Sequence, residues 1–387
     1  MKHNWTYKKL GEVVTIERGG SPRPIQDYIT TAENGLNWIK IGDAVEGSKY
    51  ITSTKEKIKP EGLKKTRFVH KGDFILSNSM SFGRPYILAI DGCIHDGWLV
   101  LHDENQVFDK SYLYYYLSSP SIYEEFKRLA VGGVVNNLNS DIVRKVKVAI
   151  PSLSEQESIV AELDGINHLI DLQEEQLREY DRLAQSLFYT TFGDPITNPK
   201  GWEVKSLGEV GRVITGNTPS TRDANNYASS DVCFFKPSDF DADQLSQLCE
   251  SEFKISNYAY EQSRKLPKGA ILTTCIGIVG KVGILKTDAT CNQQINAIIP
   301  NELTESYYLG YAILLIKNLL SEKANAPVVP LLNKSQFSAV CIPLPPLSLQ
   351  QSFAAQIEAI EQQKALIRRS LDETRTLLAA RMQYYFE

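Results

Sequence analysis

The chain is 387 residues long, more than one hydrophobic core usually serves, so two or more domains are expected. With 42% hydrophobic and 23% charged residues it has the composition of a folded globular protein, and no apolar run is long enough to cross a bilayer. The net charge of −4 is unevenly spread: residues 1–151 carry 21 Lys and Arg against 17 Asp and Glu, residues 152–194 carry 2 against 10, and the rest is neutral. The globular parts are not acidic, so a DNA-binding face is not excluded.

The start, Met1-Lys2-His3-Asn4-Trp5, has no leader-like apolar stretch, and a cytoplasmic protein with no membrane partner is expected. From Trp5 onward the dominant signal is an internal repeat. Trp5-x-x-Lys8-x-Leu10-Gly11-Glu12-Val13 returns 197 positions later as Trp202-x-x-Lys205-x-Leu207-Gly208-Glu209-Val210. Gly19-Gly20-Ser21-Pro22 returns as Gly216-Asn217-Thr218-Pro219, and Trp38-Ile39-Lys40-x-x-Asp43 as Phe234-Phe235-Lys236-x-x-Asp239. Neither glycine segment is followed by the Gly-Lys-Ser/Thr of a nucleotide-phosphate loop. Both are read as turns whose backbone amides could meet a DNA phosphate.

Lys55, Lys57, Lys59, Lys64, Lys65, Arg67 and Lys71 crowd a 17-residue stretch, the footprint of either a solvated face or phosphate contact. Three positive positions are kept in both copies, Arg67/Arg264, Lys71/Lys268 and Arg84/Lys281, and are read as phosphate contacts. Arg18 and Arg23 around the first glycine turn, Thr218 and Arg222 around the second, and Lys65 join this candidate DNA-binding set. Asn78 has an amide suited to an adenine edge, and its counterpart is Cys275, so the two halves are expected to read different bases.

Lys71–Leu76 and Tyr86–Ile90 read as strands between Gly and Asp, with partners at 270–273 and 282–285. The tyrosine-rich segments 111–117 and 307–315 read as buried helices, so each half is an α+β domain. Ser154-x-x-Glu157 and Ser348-x-x-Gln351, each after a proline, read as capping boxes opening long helices. A 4-3 spacing follows in the first through Ile159, Leu163, Ile166, Ile170, Gln173, Leu177, Tyr180, Ala184 and Leu187. The second runs through Phe353, Ile357, Ile360, Lys364, Ile367, Leu371, Thr374, Leu378 and Arg381, its polar breaks suggesting a less regular seam or one shared with another protein. Ile159, Leu163, Ile166, Ile170, Leu177, Ile357, Ile360, Ile367, Leu371 and Leu378 are the expected pairing residues of an antiparallel coiled coil. The expected segments are 1–151 and 195–345 for the domains, and 152–194 and 346–387 for the helices.

Catalytic constellations are not expected. Cys93, Cys233, Cys249, Cys275, Cys291 and Cys341 show no Cys-x-x-Cys spacing, and neither a metal site nor a disulfide framework is predicted. Asp194-Pro195 and Asn198-Pro199 do not supply the Asn/Asp-Pro-Pro-aromatic loop of a DNA methyltransferase. Asp239 with Glu252-Phe253-Lys254 sketches a magnesium nuclease, but the first copy has no matching acid-x-Lys. His95-Asp96 becomes Asn292-Gln293, so no shared histidine base exists. No cofactor is predicted. A protein–protein adaptor without DNA recognition is the main alternative to a DNA reader.

Trp-x-x-x-x-Leu-Gly-Glu at each domain start, Gly-x-Ser/Thr-Pro soon after, Lys71-Gly72-Asp73-Phe74-Ile75-Leu76, Asn292-Gln293-Gln294-Ile295-Asn296 and Ile342-Pro343-Leu344-Pro345-Pro346-Leu347 before Gln350-Gln351 together resemble the specificity subunit of type I restriction–modification enzymes. The resemblance spans the whole chain, departing at His95-Asp96-Gly97-Trp98. It implies two target-recognition domains, each reading half of a bipartite asymmetric site in double-stranded DNA. It also implies that the helices set the spacer and dock two adenine methyltransferase subunits, which bind S-adenosylmethionine and flip the base; motor-nuclease subunits could join.

Overall fold

The computed structural model describes residues 5–45, 47–79, 83–130, 138–324 and 329–387; the first four residues, read above for a leader, lie outside it. Two compact units divide the chain, Met1–Leu172 with Leu371–Glu387, and Gln173–Ser370. The division falls inside both long helices, so each unit holds one α+β domain, the root of its own helix and the end of the other.

In the first unit, Thr6–Lys9 pairs antiparallel with Lys147–Ile150, fastening the two ends of the domain together. One five-stranded sheet has the order Thr15–Arg18, Trp98–His102, Phe74–Ser77, Pro85–Leu88, Tyr50–Ile51. Its central strands are buried throughout, and the helices Lys110–Ser118 and Pro120–Ala130 supply Tyr112, Leu113, Leu117, Ile122 and Phe126 to the same core. The second sheet has the order Ile29–Thr30, Glu56–Ile58, Leu36–Ile39, Gly92–Ile94, Arg67–Val69.

The second unit repeats this plan with a smaller second sheet. Glu203–Ser206 pairs with Cys341–Leu344, and five strands run Gly211–Thr215, Ile295–Pro300, Ile271–Thr274, Val282–Leu285, Ser246–Leu248. A three-stranded sheet of Lys254–Ile255, Val232–Phe235 and Thr290–Cys291 stands where the first unit has five strands. The helix Ser306–Leu315 is buried on nearly every face, which is why its sequence shows no polar stripe.

The long helices span Leu153–Phe192 and Leu347–Phe386, 40 residues each. Both begin earlier than the expected capping boxes. The Glu155 N–H donates to Ser152 Oγ at 3.3 Å, so Ser152 caps the first helix and Ser154 lies in its first turn. Ser348 likewise lies inside the helix from Leu347. The first helix stops where Gly193 takes a φ of +82°, a left-handed value that glycine alone tolerates well.

The helices pair antiparallel in each unit. In the first, Ile159 and Leu163 share a core with Leu378, Met382 and Phe386, and Glu162 bonds Arg381. In the second, Ala184 and Phe188 meet Phe353, Ile357 and Ile360. Gln173 Nε2 donates there to Ser370 Oγ at 2.9 Å, and Lys364 Nζ reaches Asp181 at 2.6 Å and Glu361 at 2.9 Å. The polar breaks Lys364 and Arg381 in the second seam therefore face carboxylates of the first helix, Asp181 and Glu162. Ile159, Leu163, Ile357, Ile360 and Leu371 are buried, while Ile166, Ile170, Leu177, Ile367 and Leu378 are half-buried. No described helix is long and apolar enough to cross a membrane.

Candidate nucleic-acid interface

The glycine turns are built by close approach. A Cβ at Gly19 would collide with the His95 carbonyl, and one at Gly216 with those of Asn292 and Cys291. The turn amides are committed to the sheets: Gly19 and Gly20 donate to Trp98 O at 2.9 Å and Ile94 O at 3.2 Å. Gly216 and Asn217 do the same with Ile295 O and Cys291 O, both at 3.0 Å. These four amides are thus spent on joining the turn to the 94–98 or 291–295 segment, which answers the phosphate expectation in the negative for them.

Around the first turn, Asp96 is the hub. Its carbonyl accepts from Arg18 Nε at 2.9 Å and Asn78 Nδ2 at 3.1 Å. Its carboxylate accepts from Ser21 Oγ at 2.8 Å and lies 2.9 Å from His95 Nε2 and 3.7 Å from Arg23 Nη2. Burial alone would raise this carboxyl, but the Ser21 hydrogen bond and the charges of His95, Arg18 and Arg23 carry it below the ordinary aspartate range. Burial lowers His95, and Lys40, Arg18 and Arg23 reinforce this against Asp96. His95 Nδ1 accepts the Gly97 N–H at 2.9 Å, which fixes the neutral ring with its proton on Nε2. A cleft of about 890 Å³ opens here, lined by Ser21, Arg23, Trp38, Lys40, His95 and Asp96 among others.

Arg23 is largely exposed and Lys65 bonds Tyr28 Oη at 2.8 Å on the neighbouring loop. Arg67 Nε donates to Arg18 O at 3.2 Å while Nη1 meets Glu17 at 2.7 Å. Arg264 makes the matching bond to Thr215 O at 2.5 Å. Lys281 Nζ donates to Phe240 O at 2.8 Å. Arg67, Arg264 and Lys281 thus have scaffold duties that alone can account for a retained charge at those positions. Lys71 and Lys268 stand at the far end of their strands, with backbone N–H groups on Asp91 and Asp288 at 2.6 and 2.9 Å. Arg84 lines a different cavity, of about 480 Å³, together with Tyr86, Tyr114 and Tyr123. Asn78 is only 3% exposed with its amide nitrogen on the loop carbonyl, so it is packed under the loop and not turned toward a base edge.

In the second domain, Thr218 Oγ1 donates to Gln293 Oε1 at 2.5 Å, and both residues are exposed. Arg222 is exposed four residues further on. The nuclease sketch does not assemble. Asp239 accepts the Lys236 and Glu252 N–H groups at 2.7 and 3.0 Å, as Asp43 accepts those of Lys40 and Lys55, and Lys254 is paired with Glu250. Asp239 is a loop brace in a repeated scaffold.

Ser21, Lys40, His95, Asp96 and Gln293 were not among the sequence-predicted site residues. The signal for Ser21 lay in the repeat, because Ser21/Thr218 and Asp96/Gln293 keep one offset of 197.

Comparison with known proteins agrees with this duplicated plan. The sequence profile described as the type I restriction modification DNA specificity domain matches residues 2–180 and again 199–374. The type I restriction enzyme MjaIX specificity subunit of Methanocaldococcus jannaschii is 22% identical over 92% of this chain and 87% of its own. The HindI specificity subunit of Haemophilus influenzae is 29% identical over 48% of this chain and 41% of its own. Among solved structures, one from work on complex assembly and conformational transition of the type I restriction–modification system superposes with a TM-score of 0.63 at 21% identity, covering 99% of this chain and 97% of that one. The S subunit of the type I system of M. genitalium gives 0.58 at 13% identity, covering 100% and 97%. With two copies of the family domain, each followed by its long helix, this chain belongs to the DNA-specificity family of type I restriction–modification systems and is a specificity subunit without a catalytic role.

Proposed function

We propose that the chain chooses the DNA site for an adenine methyltransferase complex in the cytoplasm, each domain reading one half of an asymmetric, split double-stranded site. The helix pair holds the halves apart and docks two methyltransferase subunits, which bind S-adenosylmethionine; motor-nuclease subunits can join the same assembly. The observation that carries this reading is that two domains with the same backbone bracing differ in the side chains of one loop, half-buried at Asp96 and exposed at Gln293. A repeated scaffold with unlike loops is what two unlike half-sites require.

Phosphate contact is assigned to the exposed cations around the turns, Arg18, Arg23, Lys65 and Arg67 in the first domain and Arg222 and Arg264 in the second, with Thr218 beside them. Lys71, Arg84, Lys268 and Lys281 are peripheral members of the same set. The test is the methylome of cells producing this chain with its methyltransferase partner. Methylated adenines in one motif of two fixed halves and an unread spacer are expected. Methylation in an unsplit motif, or unchanged when this chain is omitted, would overturn the reading; an intact complex with no DNA preference would instead mark the chain as an adaptor.

A further inference from the structure

Residues 96 and 293 occupy the same place in two copies of one loop. Beneath them the backbone is held identically: the residue 78 amide donates to Gly97 O and the residue 275 amide to Gln294 O, both at 2.8 Å. Above them a hydroxyl from the glycine turn grips the side chain, Ser21 on Asp96 at 2.8 Å and Thr218 on Gln293 at 2.5 Å. A loop staple alone would explain why both positions keep an oxygen acceptor. It does not explain why the remaining hydrogen-bonding sense differs.

Asp96 is ionised and can only accept. Its Oδ1 is occupied by Ser21 and His95, whereas among the described residues Oδ2 has only Arg23 at 3.7 Å, beyond hydrogen-bond length, and the side chain is 30% exposed. Gln293 is exposed and adds a donor, Nε2, that has no partner among the described residues. We infer that residues 96 and 293 are the base-reading pair that tells the two half-sites apart, Asp96 accepting from the N4 amino group of a cytosine and Gln293 matching the N6/N7 edge of an adenine. Ser21 and Thr218 are positioning residues that aim them. The inference rests on the split-site reading above and adds which residue reads and which base chemistry each takes.

The experiment selects randomised duplexes with the full-length chain in complex with its methyltransferase subunits. Wild type should yield two fixed halves, with cytosine at one position of the first half and adenine at one position of the second. Asp96→Asn should shift that one position from cytosine toward adenine by at least about tenfold and leave the second half untouched. Gln293→Glu should move one adenine of the second half toward cytosine, again alone. Ser21→Ala should weaken the Asp96 preference without replacing it. Wild-type preferences retained in both variants, changes spread over both halves, or complete loss of binding with unchanged melting would each overturn the inference. If Asp96→Asn unfolds its domain, Gln293→Glu decides, since its exposed side chain braces no core. A wild type that selects no split motif would sink the underlying reading instead.

Discussion

Arg67 and Arg264 each tie down a carbonyl at the end of the strand that leads into the glycine turn, and Arg67 also meets Glu17. Arg67→Ala should therefore cost about 1 kcal/mol, modest because the pair is solvent-screened. Thermal melting measures that loss, and the salt dependence of DNA binding separates it from phosphate contact: a flatter slope adds the phosphate role, an unchanged slope leaves only the brace. His95 carries a second prediction at this scale. Its folded pKa lies below the ordinary 6.5, so the unfolded chain takes up a proton more readily, and the contribution is present above that value and lost as pH falls through the folded pKa. First-domain melting should drop in mild acid below pH 6.5 in wild type and drop less in His95→Gln; equal pH profiles would remove His95 from the loop's support. Arg18, Arg23 and Thr218 of this cluster were named from the sequence, but their partners Asp96 and Gln293 were not, because Ser21 and Asp96, like Thr218 and Gln293, lie 75 residues apart. Asn78 misled for a related reason: residue type suggested a base contact, but the fold turns the side chain inward.

At the scale of elements, the long helices were the most legible part, since a heptad is a local pattern repeated many times. What the pattern left open was the meaning of Lys364 and Arg381, which read as defects until their partners on the other helix were known. Lys364 is 2% exposed between Asp181 and Glu361. Lys364→Ala removes the buried cation between Asp181 and Glu361, leaving Glu361 only Arg368 at 3.8 Å, and should destabilise by about 3 kcal/mol, measured by denaturant unfolding. Asp181→Lys should be comparably harmful, and Asp181→Lys with Lys364→Asp together should recover much of the loss. Additive losses in the double variant would show that the two groups do not set the register together. The fold class was equally accessible from glycine, proline and β-branched patterns. The strand count of the second sheet was not, because its strands Lys254–Ile255 and Thr290–Cys291 have only two residues each.

At the scale of the whole molecule, the repeat made the architecture readable from one sequence, because two diverged copies reveal which positions the scaffold holds constant. Under the proposed reading, lengthening the rod alters the spacer and not the halves. One heptad added after Gln173 needs a matching heptad in the antiparallel helix before Leu371. The pair should extend the spacer by about 10 Å, or about three base pairs. An unaltered methylation motif would remove the helices as its measure. The helix roots carry a mechanical consequence of their own. Gln156 is fully buried; its Nε2 donates to Pro151 O and Val107 O at 3.1 and 3.0 Å, and its Oε1 accepts the Asp109 N–H at 2.8 Å. Gln350 repeats this with Pro345, Leu303 and Glu305 at 2.8, 3.2 and 2.9 Å. Each helix is a lever about 60 Å long turning on that bearing, so a slip of about 1° there moves its tip by about 1 Å. Under the proposed reading, two buried amides set how firmly each lever is seated, and slack in either should blur the distance between half-sites while leaving each half as sharply read as before.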